Sequence, residues 1–322
     1  MTKLHRFTWF VAACTVILLA AGGMVTSTRS GLAVPDWPNT YGHFMFSFPF
    51  EKMVGGILYE HGHRMIASLV GMLTIVLTIW TWRVDQRRWV RWLAVGALAA
   101  VVLQGLLGGL TVLLRLPAPV SVGHAALAQL FFCITVSLAL FTSRGWLAPS
   151  SPLPDDTTLR VIAPVTTVLI YAQMLLGATM RHREAGLAIP DFPWAYGRLV
   201  PPFWSADIAI HYAHRVGALV VTAMVVAVAA HVYWWHRRQP PLKRPAVLMV
   251  GLVLIQVTLG AFVVLTGLQP IVNTAHLVNG ALLLAASVVL ALRSYWISMA
   301  ARADLRAAQG RRAHMPPLEA HP

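Results

Sequence analysis

Four histidines lie inside apolar stretches of this chain, His63, His124, His214 and His276. His214 follows His63 by 151 residues and His276 follows His124 by 152, so the second pair repeats the first. Ionisable side chains within a membrane are costly and mark functional sites. Two imidazoles at one depth on facing helices can ligate the iron of a heme from both sides. A single histidine of this kind would more simply be satisfied by hydrogen bonds at the membrane boundary. Four at repeat-related places favour heme iron. Zinc is disfavoured for these four, because no carboxylate or thiol cluster accompanies them.

Other polar residues gather around the histidines. Arg64 and Arg215 each follow one of them, placed either to pair with heme propionates or to reach lipid headgroups. Glu60 stands one helical turn before His63, whereas His211 holds the matching place before His214. A carboxylate beside a macrocycle could take part in proton transfer, and its presence in one half only suggests that one heme site reacts. The alternative is a glutamate facing interfacial water. Gly105, Gly108, Gly109 and Gly123 would admit a flat macrocycle or a close neighbouring helix. The turns Pro35-Asp36-Trp37-Pro38 and Pro190-Asp191-Phe192-Pro193 read as covers over each half, or as interface anchors using Trp37 and Trp194.

These residues must be held by helices. Of 322 residues, 57% are hydrophobic and only 11% charged, against roughly 25% charged in a soluble domain, which excludes a soluble enzyme. Eight apolar runs are long enough to span a bilayer, at about 8–28, 57–82, 90–114, 119–142, 159–180, 208–235, 245–268 and 271–297. The fold class is an all-α membrane protein made of two repeated four-helix bundles. SGLAVPDWPNTYG (Ser30–Gly42) returns as AGLAIPDFPWAYG (Ala185–Gly197), LQGLLGG as IQVTLGA, and GHAALAQL as AHLVNGAL. An even number of helices per unit gives both halves one orientation, about an axis along the membrane normal. The expected divisions are 1–150, 151–300 and a tail, 301–322, that is frayed helix or disordered. The four histidines then share a depth of roughly 7–10 Å below the outer surface.

A net charge of +14 would suit nucleic acid, but the basic residues cluster between helices on one side. Lys3 and Arg6, the groups around Arg87 and Arg238, and the arginines after Arg293 place both termini in the cytoplasm. No nucleic-acid partner is expected. The N-terminus is similar to a signal peptide but reads as a retained first helix, and no Arg- and Ser-rich transit peptide precedes it, so a bacterial plasma membrane is expected. Cys14 and Cys133 lie far apart in apolar runs and read as buried packing residues.

The chain resembles the heme A synthase family over essentially its whole length. The resemblance rests on the SGLAVPDWP loop, the Glu60-x-x-His63-Arg64 run, the His214-Arg215 pair, and His124 with His276. It implies oxidation of the C8 methyl of heme O to a formyl group, giving heme A for terminal oxidases. It implies a substrate heme beside His63, His124 and Arg64 in the first half, and a heme b cofactor held by His214, His276 and Arg215 in the second. Glu60 matches the family's essential carboxylate and is the catalytic candidate. Heme O synthase and a membrane electron acceptor are the implied partners. Many members carry a cysteine pair flanking the first outer turn; Val34 and Thr40 stand there instead. Two other classes fit a multi-heme membrane chain, a di-heme b-type electron-transfer protein and a heme exporter. A pure carrier has no need of an asymmetric carboxylate.

Overall fold

A computed structural model describes residues 3–147 and 156–313, with side chains described as far as Tyr295. Among the described residues, eight helices are long and apolar enough to cross a membrane. They are α1 (Lys3–Ser27), α2 (Gly56–Val84), α3 (Arg88–Leu113), α4 (Ala118–Phe141), α5 (Thr157–His182), α6 (Ala206–His236), α7 (Pro240–Leu265) and α8 (Pro270–Ala313). The spanning part of α8 is Pro270–Tyr295. The chain is an all-α, multi-pass membrane protein.

Local chemistry sets the helix ends. Asp156 caps α5 through the amide of Leu159, and Ser205 caps α6 through that of Ile208. The seventh span, expected from residue 245, begins earlier at Pro240. Prolines at the first helical positions lose no bond, because the amides there have no partner within the helix. Pro245 lies inside the helix and cannot donate to the carbonyl of Pro241. Arg293 of α8 donates to that carbonyl instead, at 2.6 Å. The last helix runs on to Ala313, beyond the expected end of the span. The rest of the expected tail, 314–322, lies outside the described residues.

The spans pack as two rings of four. In the first, α1 meets α2, α2 meets α3, α3 meets α4 and α4 returns to α1; α5 to α8 close in the same order. Val11, Leu77, Ala94 and Leu138 fill the first ring, and Ile170, Val225, Met249 and Leu284 the second. The rings meet where α8 packs on α1 and α4 and where α4 meets α5. Leu19, Phe132, Ala281 and Ala285 form that junction, where small alanines bring helices close. The most apolar windows of α4 and α8 are 50% buried, against 17–33% in the other spans, so these two helices lie centrally. Leu69, Met72, Val76 and Ile79 of α2 are exposed, as lipid-facing side chains must be.

Arg29 and Glu184, 155 residues apart, occupy matching repeat positions and both have positive φ. They meet at 3.5 Å in an exposed ion pair. Such a pair adds little stability. It does place repeat-related residues side by side, as an axis between the two rings requires.

Candidate functional site

All four histidines lie near the starts of even-numbered helices. From the helix starts at Gly56, Ala118, Ala206 and Pro270, they sit roughly 9–12 Å along the axis at 1.5 Å per residue. This is slightly deeper than expected, because the helices begin earlier than the apolar runs alone indicated. Each imidazole rests on a glycine of the preceding helix. A Cβ added at Gly22, Gly108, Gly177 or Gly260 would lie 3.0, 3.2, 2.8 or 3.1 Å from Cε1 of His63, His124, His214 or His276 respectively. Any larger residue would push the ring away. Of the glycines singled out from the sequence, Gly108 is such a seat and Gly109 lies against the Trp37 ring, while Gly105 and Gly123 meet nothing within 4 Å.

Amide side chains hold three of the rings. Gln104 Nε2 donates to the His124 carbonyl at 2.9 Å and lies 3.3 Å from its Nε2. Gln256 Nε2 lies 3.3 Å from His276 Nε2. Gln173 Nε2 donates to the His214 carbonyl at 2.6 Å and lies 3.0 Å from its Nδ1. Leu18, not an amide, stands one repeat before Gln173, so His63 has no such partner. Nδ1 of His63, His124 and His276 is buried without a hydrogen-bond partner. An orphaned buried polar atom costs roughly 1–3 kcal/mol, so these imidazoles call for a further partner. Each ring thus carries two imidazoles near one end, a donor type that suits heme iron.

The neighbouring charged residues hold the outer loops. Arg64 donates to the carbonyls of Val34 at 2.9 Å, Asp36 at 2.8 Å and Asn39 at 3.0 Å. Its remaining contact is an ion pair with Glu60 at 2.7 Å. The other Glu60 oxygen accepts the Val34 amide at 2.8 Å, and Glu60 is only 3% exposed. The second half repeats this scheme: Arg215 donates to the carbonyls of Ile189, Asp191 and Trp194, and His211 Nδ1 takes the Ile189 amide at 3.2 Å. Glu60 and His211 are thus equivalent anchors of different charge, and Glu60 does not face interfacial water. Arg215 differs from Arg64 in keeping a buried Nε with no partner.

Within each loop an aspartate closes the turn. Asp36 accepts the amides of Tyr41 and Gly42 at 2.8 and 2.9 Å, and Asp191 those of Tyr196 and Gly197 at 2.8 Å each. Tyr41, Gly42, Tyr196 and Gly197 all have positive φ, which suits the glycines and leaves each tyrosine reliant on its aspartate contact. Burial pushes both carboxyls up, but the amides, with Arg64 or Arg215 nearby, hold them below the usual aspartate range. Val34 and Thr40, where the cysteine pair would stand, are fully buried, and Thr40 Oγ1 lies 2.9 Å from His61 Nδ1. That hydrogen bond fastens the loop to α2 where a thiol could have done so.

Several residues of this site escaped the sequence reading. Gly22, Gly177 and Gly260 carried a signal, each lying one repeat from a partner or on the helix facing a histidine, but glycine is common in membrane helices. Arg181 was visible as a cation at the end of α5. It donates to Ser27 Oγ at 2.6 Å and to the Gly23 carbonyl at 3.1 Å, joining the rings near the histidine level.

The sequence has counterparts among known proteins. A family model described as cytochrome oxidase assembly protein matches residues 5–288. The chain belongs to this family. Among its relatives are a heme A synthase of Geobacillus kaustophilus, 30% identical over 83% of this chain and 85% of that protein. The heme A synthase of Halalkalibacterium halodurans is 31% identical over 81% and 87%. That of Symbiobacterium thermophilum is 30% identical over 83% and 88%. Family membership thus spans both rings and all four histidines.

Proposed function

We propose that this chain is a heme A synthase, an oxidoreductase that converts the C8 methyl of heme O to a formyl group. The observation that carries this reading is the glycine-seated imidazole repeated four times, with an anchoring carboxylate in one half only. His63 and His124 of the first half (1–150) would take heme O, with Arg64 and Glu60 fixing the loop above it. His214 and His276 of the second half (151–300) would hold a resident heme b, and the free Nε of Arg215 suits a propionate. Heme b, when bound, supplies a one-electron relay from the reacting half to a membrane acceptor.

The protein's own share of the chemistry is binding and charge placement. Oxidising a ring methyl to a formyl group adds one oxygen atom, supplied by water in the overall balance, and releases protons together with electrons that pass to the membrane acceptor. Glu60 is the carboxylate placed to accept a proton or stabilise developing positive charge where water screens little. Arg64 supplies the opposite charge that a buried carboxylate requires. The outer loop is held against the start of α2 by Arg64 and Glu60. The reading places the protein in the plasma membrane with both termini cytoplasmic, close to the heme O synthase that supplies its substrate.

The test is co-expression with a heme O source, followed by chromatography of the extracted hemes. Heme A or its hydroxylated precursor is expected; heme O and heme b alone would mean a di-heme electron carrier instead. The purified protein should also show a low-spin, six-coordinate heme b spectrum, since two imidazoles are strong-field ligands. That spectrum should vanish in His214→Ala and in His276→Ala, and its retention in both would overturn the assignment of the second half.

A further inference from the structure

A second cluster of donors lies at the other end of the second ring. Asp156 stands just before α5, and His231 and His236 lie in the last turns of α6. They are roughly 25–33 Å along α6 from His214 at 1.5 Å per residue, so they take no part in the heme sites. Asp156 Oδ2 lies 2.6 Å from Nε2 of His231 and 2.6 Å from Nε2 of His236. The three ligand atoms all fall within 4.8 Å of one another. His236 is 3% exposed and the other two are part-buried.

The hydrogen bonds around the cluster limit what can hold it together. Asp156 Oδ1 is already used, accepting the Leu159 amide at 2.9 Å, which leaves Oδ2 for the histidines. His236 Nδ1 lies 2.9 Å from Gln239 Oε1. With the amide oxygen turned toward it, Nδ1 is the nitrogen that carries the ring proton; a flipped amide would place that proton on Nε2. In a neutral imidazole, Nε2 then presents a lone pair to a carboxylate oxygen, and His231 brings a second Nε2 to that same oxygen. Either a ring proton or a metal ion can lie between these atoms, and around a tetrahedral ion the 2.6 Å contacts would widen to about 3.3 Å. One carboxylate oxygen with two imidazole nitrogens is a donor set suited to first-row divalent ions. Gln239 is the outer partner that fixes a ligating imidazole's tautomer.

We propose that Asp156, His231 and His236 bind a divalent first-row metal ion of the zinc class, with a fourth position open to water. The ion joins the start of α5 to the end of α6 and so clamps the inner end of that helical hairpin. The site belongs to the second half alone. Trp80 and Asp85 stand one repeat before the two histidines, and Asp85 pairs with Arg87 at 2.5 Å.

The test uses the full-length, heme-loaded protein, purified on a tag without histidines and stripped with a chelator. Zn2+ alone is added, the excess is removed by gel filtration, and zinc and heme are measured in the same fractions. The wild type should keep about one Zn2+ per chain, with X-ray absorption showing two imidazole nitrogens and oxygen at about 2.0–2.2 Å. Asp156→Asn retains an oxygen to cap α5 but loses the charge, and it should keep less than about a tenth of the zinc at unchanged heme absorbance. His231→Ala with His236→Ala should do the same, and His231→Gln serves if that double variant fails to accumulate. Zinc retention equal to wild type in these variants, or none in the wild type, would overturn the proposal. The latter result would leave a proton, rather than a metal, between His236 and Asp156.

Discussion

Glu60 carries two tasks in one carboxylate. It pairs with Arg64 at 2.7 Å and accepts the Val34 amide at 2.8 Å, while His211, which also meets the Ala185 backbone, makes the amide contact but no ion pair in the second half. If loop anchoring were its whole role, a neutral acceptor would serve, as His211 does. Glu60→Gln separates the tasks, because glutamine still accepts the Val34 amide but carries no charge. Heme A formation should fall by about 100-fold or more, the scale of a lost acid–base group, with the heme b spectrum unchanged. Heme A made at the wild-type rate would remove Glu60 from the chemistry. Glu60→Ala should in addition lower expression, because Arg64 is then buried without its counter-charge. The asymmetry between Glu60 and His211 was legible in the sequence. Their partners were not, since Val34 and Ile189 reach them only once the loops fold back onto α2 and α6. The same folding turned Arg64 from a suspected propionate ligand into a loop clamp whose hydrogen bonds go to three loop carbonyls and to Glu60.

The helices show why glycine had to be read by position. Gly177 lies where a Cβ would come 2.8 Å from His214 Cε1, whereas Gly251 of α7 meets nothing within 4 Å. Alanine favours a helix over glycine by about 1 kcal/mol, so Gly251→Ala should be neutral or slightly stabilising. Gly177→Ala carries the same gain yet must displace the imidazole, at about 1–3 kcal/mol for an overpacked contact. Heme b content in graded heme titrations should therefore fall about 5–150-fold in affinity for Gly177→Ala and stay unchanged for Gly251→Ala. Equal heme binding in both variants would show that the seat does not position the ring. The number and order of the spans were legible because hydrophobic runs of that length report directly on bilayer thickness. The start of α7 was not, because the apolar run begins at Pro245 whereas the helix already starts at Pro240, through the polar stretch with Lys243 and Arg244. The outer loops make a further prediction. Burial raises the Asp36 carboxyl, but the Gly42 and Tyr41 amides and Arg64 outweigh it and bring it below the usual range. A lowered folded value means the loop's contribution is present above the ordinary aspartate pKa and is lost as pH falls through the lower one. Protease cleavage of the loop should thus stay slow from about pH 7 to pH 5 and rise only below about pH 4. Asp36→Ala should make cleavage fast at every pH, and an unaltered profile in that variant would show that the turn holds without its aspartate.

At the scale of the whole molecule, the two rings place four histidines at one end of the membrane and the Asp156 cluster at the other. Which end faces outward depends on orientation, and the sequence supplies a physical reason for one choice. Lys3, Arg6, Arg87, Arg91, Arg237 and Arg238 lie on the side opposite the Pro-Asp-aromatic-Pro loops, and basic residues are retained on the cytoplasmic face. Both termini should then be cytoplasmic and both loops external, so that heme edges at the histidine level lie near the outer leaflet. Single cysteines introduced in a background with Cys14 and Cys133 replaced by alanine can decide this. Asn39 is exposed in the first loop and suits labelling directly. Ala195, the repeat partner of Thr40 in the second loop, is only 2% exposed and would fail to react in either orientation. Leu199, at 76% exposure, is the informative position there, and Arg238 reports the opposite side. A membrane-impermeant maleimide applied to intact cells should label Asn39→Cys and Leu199→Cys but reach Arg238→Cys only after the membrane is opened. The reverse pattern would invert the protein, bring the heme histidines to the cytoplasmic side and put the Asp156 cluster outside. A mixed pattern, with the two loops on opposite sides, would break the parallel relation of the rings, because an even number of spans between equivalent loops requires them to share a face.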